Sequence, residues 1–211
     1  MALFIIGLCA CTASAHEHWV DLETFYPAIG ETNRISICSG HSFPKNSILL
    51  RKSLLHNLKV FLPDGKATAF KTTSQDKRWI TDFVFKTEGV VIVSFSLKKP
   101  QIEEPLYRAT AIVICGNTDK DKASYSTGKG LEIVPTGKLS QAKKTGTLQL
   151  ILLSNGKRVS ARLTILPEHG KNTILSTTEK RPAELKITKG GRYLVTTSYK
   201  GKGCSLTFAL K

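Results

Sequence analysis

The chain has 211 residues, of which 41% are hydrophobic, and its 31 Lys and Arg residues against 16 Asp and Glu residues give a formal net charge of +15. Such a charge attracts anionic partners. Because residues 1–15 indicate export, we expect lipid head groups or acidic glycans rather than nucleic acid as partners. No apolar run beyond residue 10 approaches the roughly 20 residues of a membrane span, so no transmembrane segment is expected in the mature chain.

Residues 1–15 predict a secretory signal peptide. Residues 3–10 are apolar, and Ala13 and Ala15 place small residues where signal peptidase cuts, although no Lys or Arg precedes the apolar run. Cleavage after Ala15 would make His16 the N-terminus of a periplasmic or exported protein. In the alternative interpretation, residues 8–11 form a lipobox, and a lipid on Cys11 would anchor the protein and leave His16 without a free amine.

Beyond the leader, short β-branched and aromatic runs separated by Gly, Pro, Asn and Asp predict an all-β chain. Asn155-Gly156 between two apolar runs indicates a type I′ hairpin turn. Residues 47–57 are the one stretch that can form a short helix. The predicted strands are 18–25, 33–38, 57–62, 78–85, 89–97, 107–114, 131–134, 147–153, 158–166, 183–188, 191–199 and 204–210.

The fold class that this pattern predicts is two tandem β-sandwich domains of immunoglobulin-like or transthyretin-like type, following the signal peptide. The strand pattern is weakest over 116–130 and again over 135–146, which are polar and rich in Gly, Ser and Lys. We therefore expect an N-terminal sandwich over 16–134 and a smaller C-terminal sandwich over 135–211.

Three cysteines remain after cleavage, which allows one disulfide in an oxidising compartment and leaves one thiol over. Cys38 and Cys115 are the favoured pair because both lie in β-like runs that flank Trp79, an order similar to that of immunoglobulin domains. Three buried free thiols are the alternative.

The histidines nearest the predicted N-terminus indicate a metal site at His16, His18 and His41. With His16 first, its α-amine, the amides of Glu17 and His18 and the His18 imidazole offer four nitrogens, a set that suits Cu(II) and Ni(II). A second geometry uses the amine and imidazole of His16 with the imidazole of His41, which lies in a turn after the second strand. In an extended strand His16 and His18 share a face.

The segments HEHWVDLETFYPAIGE, ISICSGHSFPK and LEIVPTG resemble the bacterial exported proteins known as nickel-uptake accessory, or substrate-specific, components. The terminal segments LILLSNGKRVSARLTILPE and GRYLVTTSY are similar to transthyretin-like β modules. The resemblance covers nearly the whole mature chain. It implies a nickel-related role at the cell envelope, which includes cooperation with an envelope transporter.

Together these features predict an exported, non-enzymatic protein that binds Ni(II), Co(II) or Cu(II) as its cofactor or cargo and aids uptake or handling of the ion. The sequence has no nucleophile elbow, zinc-protease motif or P-loop. One alternative is an interaction module that binds an envelope protein, a glycan or the anionic envelope surface. A third hypothesis, suggested only by the histidine geometry, is a copper monooxygenase acting on polysaccharide.

Overall fold

The computed structural model describes residues 16–117 and 125–211, so the predicted cleavage after Ala15 and the lipidation of Cys11 fall outside the described residues. Strands contain 56% of the residues and helices 5%, which confirms the all-β prediction. The strands are β1 (Glu17–Leu22), β2 (Thr32–Gly40), β3 (Leu55–Phe61), β4 (Ala67–Ala69), β5 (Thr73–Gln75), β6 (Arg78–Val84), β7 (Gly89–Leu97), β8 (Tyr107–Cys115), β9 (Leu131–Pro135), β10 (Thr147–Ser154), β11 (Lys157–Val159), β12 (Ala161–Pro167), β13 (Thr173–Thr177), β14 (Ala183–Lys186), β15 (Gly191–Tyr199) and β16 (Lys202–Leu210).

These strands form three sheets that pack as a layered sandwich. The central sheet has eight strands in the order β13-β12-β15-β16-β8-β7-β3-β4. The front sheet has the order β1-β2-β6-β5, and the back sheet has the order β11-β10-β14 with β9 also paired to β10. All pairs are antiparallel except β16 with β8, which run parallel.

The central sheet is buried on both faces, as its side-chain alternation shows. Ala111 and Val113 of β8 pack with Ile35 and Ile37 of the front sheet. Ile112 and Ile114, which point the other way, pack in a second cluster with back-sheet residues such as Leu150. Burial on two faces explains why β7 and β8 are continuous apolar runs rather than alternating ones.

Hydrogen bonds join strands on both sides of the predicted boundary between 134 and 135. The boundary falls at the end of β9, whose Val134 is in register with Ile151 of β10. Strand β16 pairs with β8 from Gly203↔Tyr107 to Thr207↔Ala111. The central sheet therefore contains strands from both halves of the sequence.

The helical elements differ from those predicted. Within 47–57 only Lys52–Leu54 form a 3-10 turn, and β3 begins at Leu55 because Leu55 and Leu58 pack against the core shared by the front and central sheets. The helix of the described chain is α1 (Leu139–Thr145), which lies in a segment predicted to be irregular. With only Leu139 and Ala142 buried along two turns, α1 has too short an apolar period to be identified from sequence.

The predicted Cys38–Cys115 disulfide is wrong, because Cys38, Cys115 and Cys204 are all buried free thiols. Cys38 lies on the face of β2 opposite to Ile35 and Ile37 and packs with Trp19. Cys115 lies in the cluster on the other face of the front sheet. Because the two thiols face opposite sides of that sheet, they cannot meet.

Two further sequence predictions concern a turn and the membrane. Asn155 and Gly156 have φ of 49° and 78°, the positive values that a type I′ hairpin turn requires, so that prediction is confirmed. None of the helices within 16–117 and 125–211 has the length and apolar character needed to cross a bilayer.

Candidate functional site

The antiparallel register of β1 and β2 places His16 opposite His41. Glu17 is in register with Gly40 and His18 with Ser39, so the next pair outward along the ladder is His16 with His41. The two imidazole rings meet edge to face, with centroids 4.4 Å apart and an interplanar angle of 62°. His41 is exposed and His16 is half-buried, so the pair lies at the surface, at the open end of the front sheet.

The backbone of Ser39 anchors the turn that carries His41. The Ser39 amide donates to Asn46 Oδ1 at 2.7 Å, and the Ser39 carbonyl accepts from the amides of Ser47 and Ile48, both at 3.0 Å. This turn, residues 40–48, is closed onto the end of β2. His41 is therefore held on a short, fixed connection rather than on a free loop.

Two packing contacts set the path of the same turn. The Phe43 ring packs edge to face on the buried Trp19, with centroids 5.7 Å apart. A Cβ at Gly40 would lie 2.8 Å from the Lys45 carbonyl oxygen, so only glycine allows this close approach. Trp19 itself is fully buried, with 0% of its surface exposed, so the turn is anchored on the core.

His18 has different partners from the other two histidines. Its Nδ1 is 2.9 Å from Ser39 Oγ, and its ring packs edge to face on Tyr107 with centroids 5.0 Å apart. Burial, with a smaller effect of the nearby His16, lowers the pKa of His18 to about 4, so its imidazole is neutral at pH 7. Within the described part of the chain, no three or more His, Cys, Asp or Glu side chains are close enough to hold a metal ion.

The backbone of β1 is tied to the sheets on both of its sides. Because the amide and carbonyl of Ser39 both bond within the 40–48 turn, Ser39 and His18 form a non-hydrogen-bonded pair of the ladder. Glu17 and Gly40 are then a hydrogen-bonded pair. On the outer edge, the His18 carbonyl accepts from Ser205 Oγ at 2.7 Å and from the Tyr107 hydroxyl at 3.3 Å. The Glu17 amide is thus engaged in the ladder.

A partly buried ion cluster, which was not predicted from the sequence, fixes the face of β1 opposite to His16 and His18. Arg192 Nη1 donates to Asp21 at 2.9 Å, and Arg192 Nη2 donates to Glu168 at 2.7 Å. Burial raises the pKa of Asp21, with Arg192 opposing the rise, whereas the hydrogen bonds from Arg192 lower the pKa of Glu168. The one sequence signal for this cluster is a carboxylate at Asp21 between the buried Val20 and Leu22.

The other two histidines lie away from the pair. His169 is exposed in the segment between β12 and β13. His56 lies on β3, half-buried, and its Nε2 has no hydrogen-bond partner in the structure. The structure thus brings together His16 and His41, leaves His18 beside them with other partners, and places His56 and His169 elsewhere.

Several solved structures match this chain at low sequence identity. They include the D0–D1 domain of intimin (16% identity, 90% of this chain, 95% of that chain, TM-score 0.28). A segment of two fibronectin type III domains from chicken tenascin matches with 13% identity over 92% of this chain and 99% of that chain, with a TM-score of 0.30. Salmonella α2-macroglobulin matches with 10% identity over 92% of this chain and 14% of that chain, with a TM-score of 0.31. Because these scores are all below 0.5, the sandwich assignment rests on the sheets of this chain alone.

Comparison at the level of sequence gives the family. No curated protein matches the chain. The model of the family described as "Domain of unknown function (DUF4198)" matches residues 13–201, which span the β-sandwich from β1 to the end of β15. The chain therefore belongs to the DUF4198 family.

Proposed function

We propose that the processed protein binds a divalent transition-metal ion, Ni(II), Cu(II) or Co(II), at His16 and His41 and handles that ion at the cell envelope. The observation that carries the proposal is the contact of these two imidazoles, with centroids 4.4 Å apart, at the surface end of the front sheet. A resemblance to nickel-uptake accessory proteins supports a role in supplying the ion to an envelope transporter.

The spacing of the two rings suits a shared ion. With nitrogen–metal distances of about 2.0 Å, two imidazoles on one ion have ring centroids roughly 4–6 Å apart, depending on the angle between them. The observed 4.4 Å lies within that range. Cleavage after Ala15 would turn the peptide nitrogen of His16 into an amine and add a third nitrogen donor beside the two rings. Nitrogen donors of this kind suit Ni(II) and Cu(II) in particular.

The structure favours this pair over the chelate made of the His16 amine, two amides and His18. That chelate needs the Glu17 amide deprotonated and bound to metal, yet ladder alternation places this amide in the hydrogen-bonded pair with Gly40. It also needs the ring of His18, which packs on Tyr107 and lies against Ser39. Forming the chelate would therefore cost part of the β1–β2 pairing. His18 acts in our proposal as a neutral, positioning neighbour of His16.

The test is a titration of protein whose N-terminus has been verified as His16 by intact mass. Calorimetry with Ni(II) and with Cu(II) at pH 7.5 compares the wild type with H16A, H41A, H18A and H169A. We expect H16A and H41A each to weaken binding at least tenfold, H18A to weaken it less, and the exposed control H169A to leave it unchanged. One added Ala before His16 should also weaken binding, because it removes the amine from the site.

Two outcomes would contradict the proposal. If the H16A/H41A double variant keeps wild-type affinity, the ion binds elsewhere. If H18A and the added Ala abolish binding while H41A does not, the N-terminal chelate is the site, and the pairing of His16 with His41 has no role in binding.

A further inference from the structure

A second candidate site is a cleft of about 460 Å³, a volume within the range of roughly 300–1,000 Å³ that small-ligand sites have. Its walls come from β3, β7 and β8 of the central sheet, from residues 129–131, and from the β10–β11 and β15–β16 turns. His16, His18 and His41 are not among its described lining residues. The cleft is thus a separate feature of the molecule.

The described lining of this cleft is strongly cationic. Five basic side chains line it, against one lining carboxylate, Glu104, which pairs with Lys202. A second carboxylate, Glu132, lies 3.4 Å from Arg108. Five positive and two negative groups leave a net charge of +3 in one concave site, where field lines are focused on a bound anion. The basic residues are Lys59, Arg108, Lys129, Lys200 and Lys202.

The backbone presents two of these lysines at the rim. The register of β3 against β7 shifts between His56 and Lys59, with Asn57 at a φ of 52°, so Lys59 follows a bulge. Lys200 and Gly201 both have positive φ, which gives the β15–β16 hairpin a tight two-residue turn. Lys59 and Lys200 are both exposed. They lie on different elements, so the positive charge is spread along the cleft rather than gathered at one point.

Arg108 is the fixed cation of the cleft. Its side chain is 13% exposed and lies 3.4 Å from Glu132 Oε1. Its Nε donates to Ser94 Oγ at 3.2 Å and its Nη2 to Thr127 Oγ1 at 2.7 Å. A guanidinium held by this many partners loses little conformational freedom when it meets an anion.

The rest of the lining suits a sugar rather than an acyl chain or a bare anion. Tyr199, with Lys200 Nζ 5.4 Å from its ring centroid, offers an aromatic face beside a cation. Asn57, Ser154 and Asn155 add amide and hydroxyl groups that can bond to sugar hydroxyls. Aromatic faces, polar groups and separated cations match a chain of sugar rings that carries a negative charge on successive units.

We propose that this cleft binds an acidic oligosaccharide, a segment of two or three sugar units bearing carboxylates. The inference does not depend on the metal proposal, because neither proposed metal ligand, His16 or His41, lines the cleft; Tyr107, which lines it, packs on their neighbour His18. It gives the molecule a point of attachment to an anionic polysaccharide.

The test uses trigalacturonate as the acidic probe, maltotriose as the neutral trimer and inorganic phosphate as the bare anion, each titrated by NMR or calorimetry at low and moderate salt. We expect saturable binding of trigalacturonate that weakens with salt, and at least tenfold weaker binding of the other two probes. K59E and K200E should each lower the affinity about tenfold, equivalent to about 1.4 kcal/mol. The control K180E reverses an exposed lysine between β13 and β14, outside the cleft, and should change the affinity less than twofold.

Each alternative result has a defined meaning. Equal binding of trigalacturonate and maltotriose would overturn the acidic part of the proposal, and equal binding of phosphate would overturn the sugar part. If K180E weakens binding as much as K59E, net charge rather than the cleft attracts the ligand, and the proposed site is wrong. Retained trigalacturonate binding in the H16A/H41A variant would support a site independent of the metal proposal, whereas its loss would overturn that independence.

Discussion

Replacement of Arg192 by Met tests the ion cluster that holds β1 against the central sheet. In the wild type the guanidinium donates to both carboxylates, Asp21 and Glu168, whose side chains are 11% and 20% exposed, while Arg192 is 30% exposed. Removing one partner of a fully buried ion pair lowers the free energy of unfolding by about 3–5 kcal/mol. Removing one partner of an exposed pair lowers it by about 0–1 kcal/mol. Because the Arg192 cluster has intermediate burial, we expect R192M to lower the free energy of unfolding by about 2–3 kcal/mol, since Asp21 is left buried without its cation.

The assay is urea and thermal unfolding followed by circular dichroism, with EDTA present to remove metal. For a chain of this size, 1 kcal/mol shifts Tm by about 2–4 °C, so R192M should melt about 4–12 °C below the wild type. The matched control is R34M. Arg34 pairs with Asp82 at 2.9 Å, but the two side chains are 40% and 53% exposed. This control should therefore lose much less stability than R192M, because an exposed ion pair contributes little to the free energy of unfolding.

Acidification should narrow the difference between R192M and the wild type. Arg192 lowers the pKa of Glu168, so the stability that Glu168 contributes is present above its ordinary pKa and is lost as pH falls through the lowered pKa. In R192M the rise of the Asp21 pKa by burial is no longer opposed, and protonation of Asp21 relieves its cost at acidic pH. Both effects make the stability difference between the wild type and R192M smaller in acid: protonation of Asp21 acts as pH falls through its raised pKa, and the loss of the Glu168 contribution begins below that group's ordinary pKa of 4.5. Equal losses in R192M and R34M, or a difference that widens in acid, would refute this reasoning.

Three other predictions concern glycines and thiols. A Cβ at position 203 would lie 2.7 Å from Tyr107 Cε2, so G203A should lower the free energy of chemical unfolding by about 1–3 kcal/mol. The control G137A has open space around the new Cβ and should change that free energy by less than about 1 kcal/mol. Equal losses in the two variants would contradict a steric overlap with Tyr107. G40A should displace the 40–48 turn and weaken Ni(II) binding about tenfold in titration, which is equivalent to about 1.4 kcal/mol. G137A is again the control and should bind Ni(II) like the wild type. Unchanged affinity in G40A would show that the turn does not position the metal site. Burial raises the pKa of Cys38 to about 12, and Cys115 and Cys204 are buried as well, so a thiol-specific disulfide reagent should find no reactive thiol in the native processed protein (residues 16–211) and three in denaturant. A single reactive thiol in denaturant would instead support a disulfide between two of the three.

The strand pattern was largely predictable because burial dictates it directly. The run 89–97 was predicted and found as β7 with the same bounds, since a strand buried on both faces leaves a continuous apolar signal. The three-residue strands β4 and β5 were missed because all six of their residues are exposed. Such short edge strands carry no apolar period that a sequence can show.

The candidate site was predictable only in part. Period two places His16 and His18 on one face of β1, but it does not give the register that brings His41 opposite His16. Nor does it give the contact of Arg192 with Asp21, which joins residues 171 positions apart. The disulfide prediction failed for a related reason, because the spacing of Cys38 and Cys115 says nothing about which side of a sheet each thiol faces.

The place of β16 in the central sheet has a consequence for the order in which the protein is assembled. This strand lies between β15 and β8, and its Ser205 carbonyl accepts from Thr110 Oγ1, 95 residues earlier in the chain. During synthesis, the edge of β8 stays unpaired until residues 202–210 have been made. Pairings of such long sequence separation form slowly, and an open strand edge invites association with other chains. We therefore expect the closing of the central sheet by β16 to be a late step in folding, and chains that end before residue 202 to aggregate.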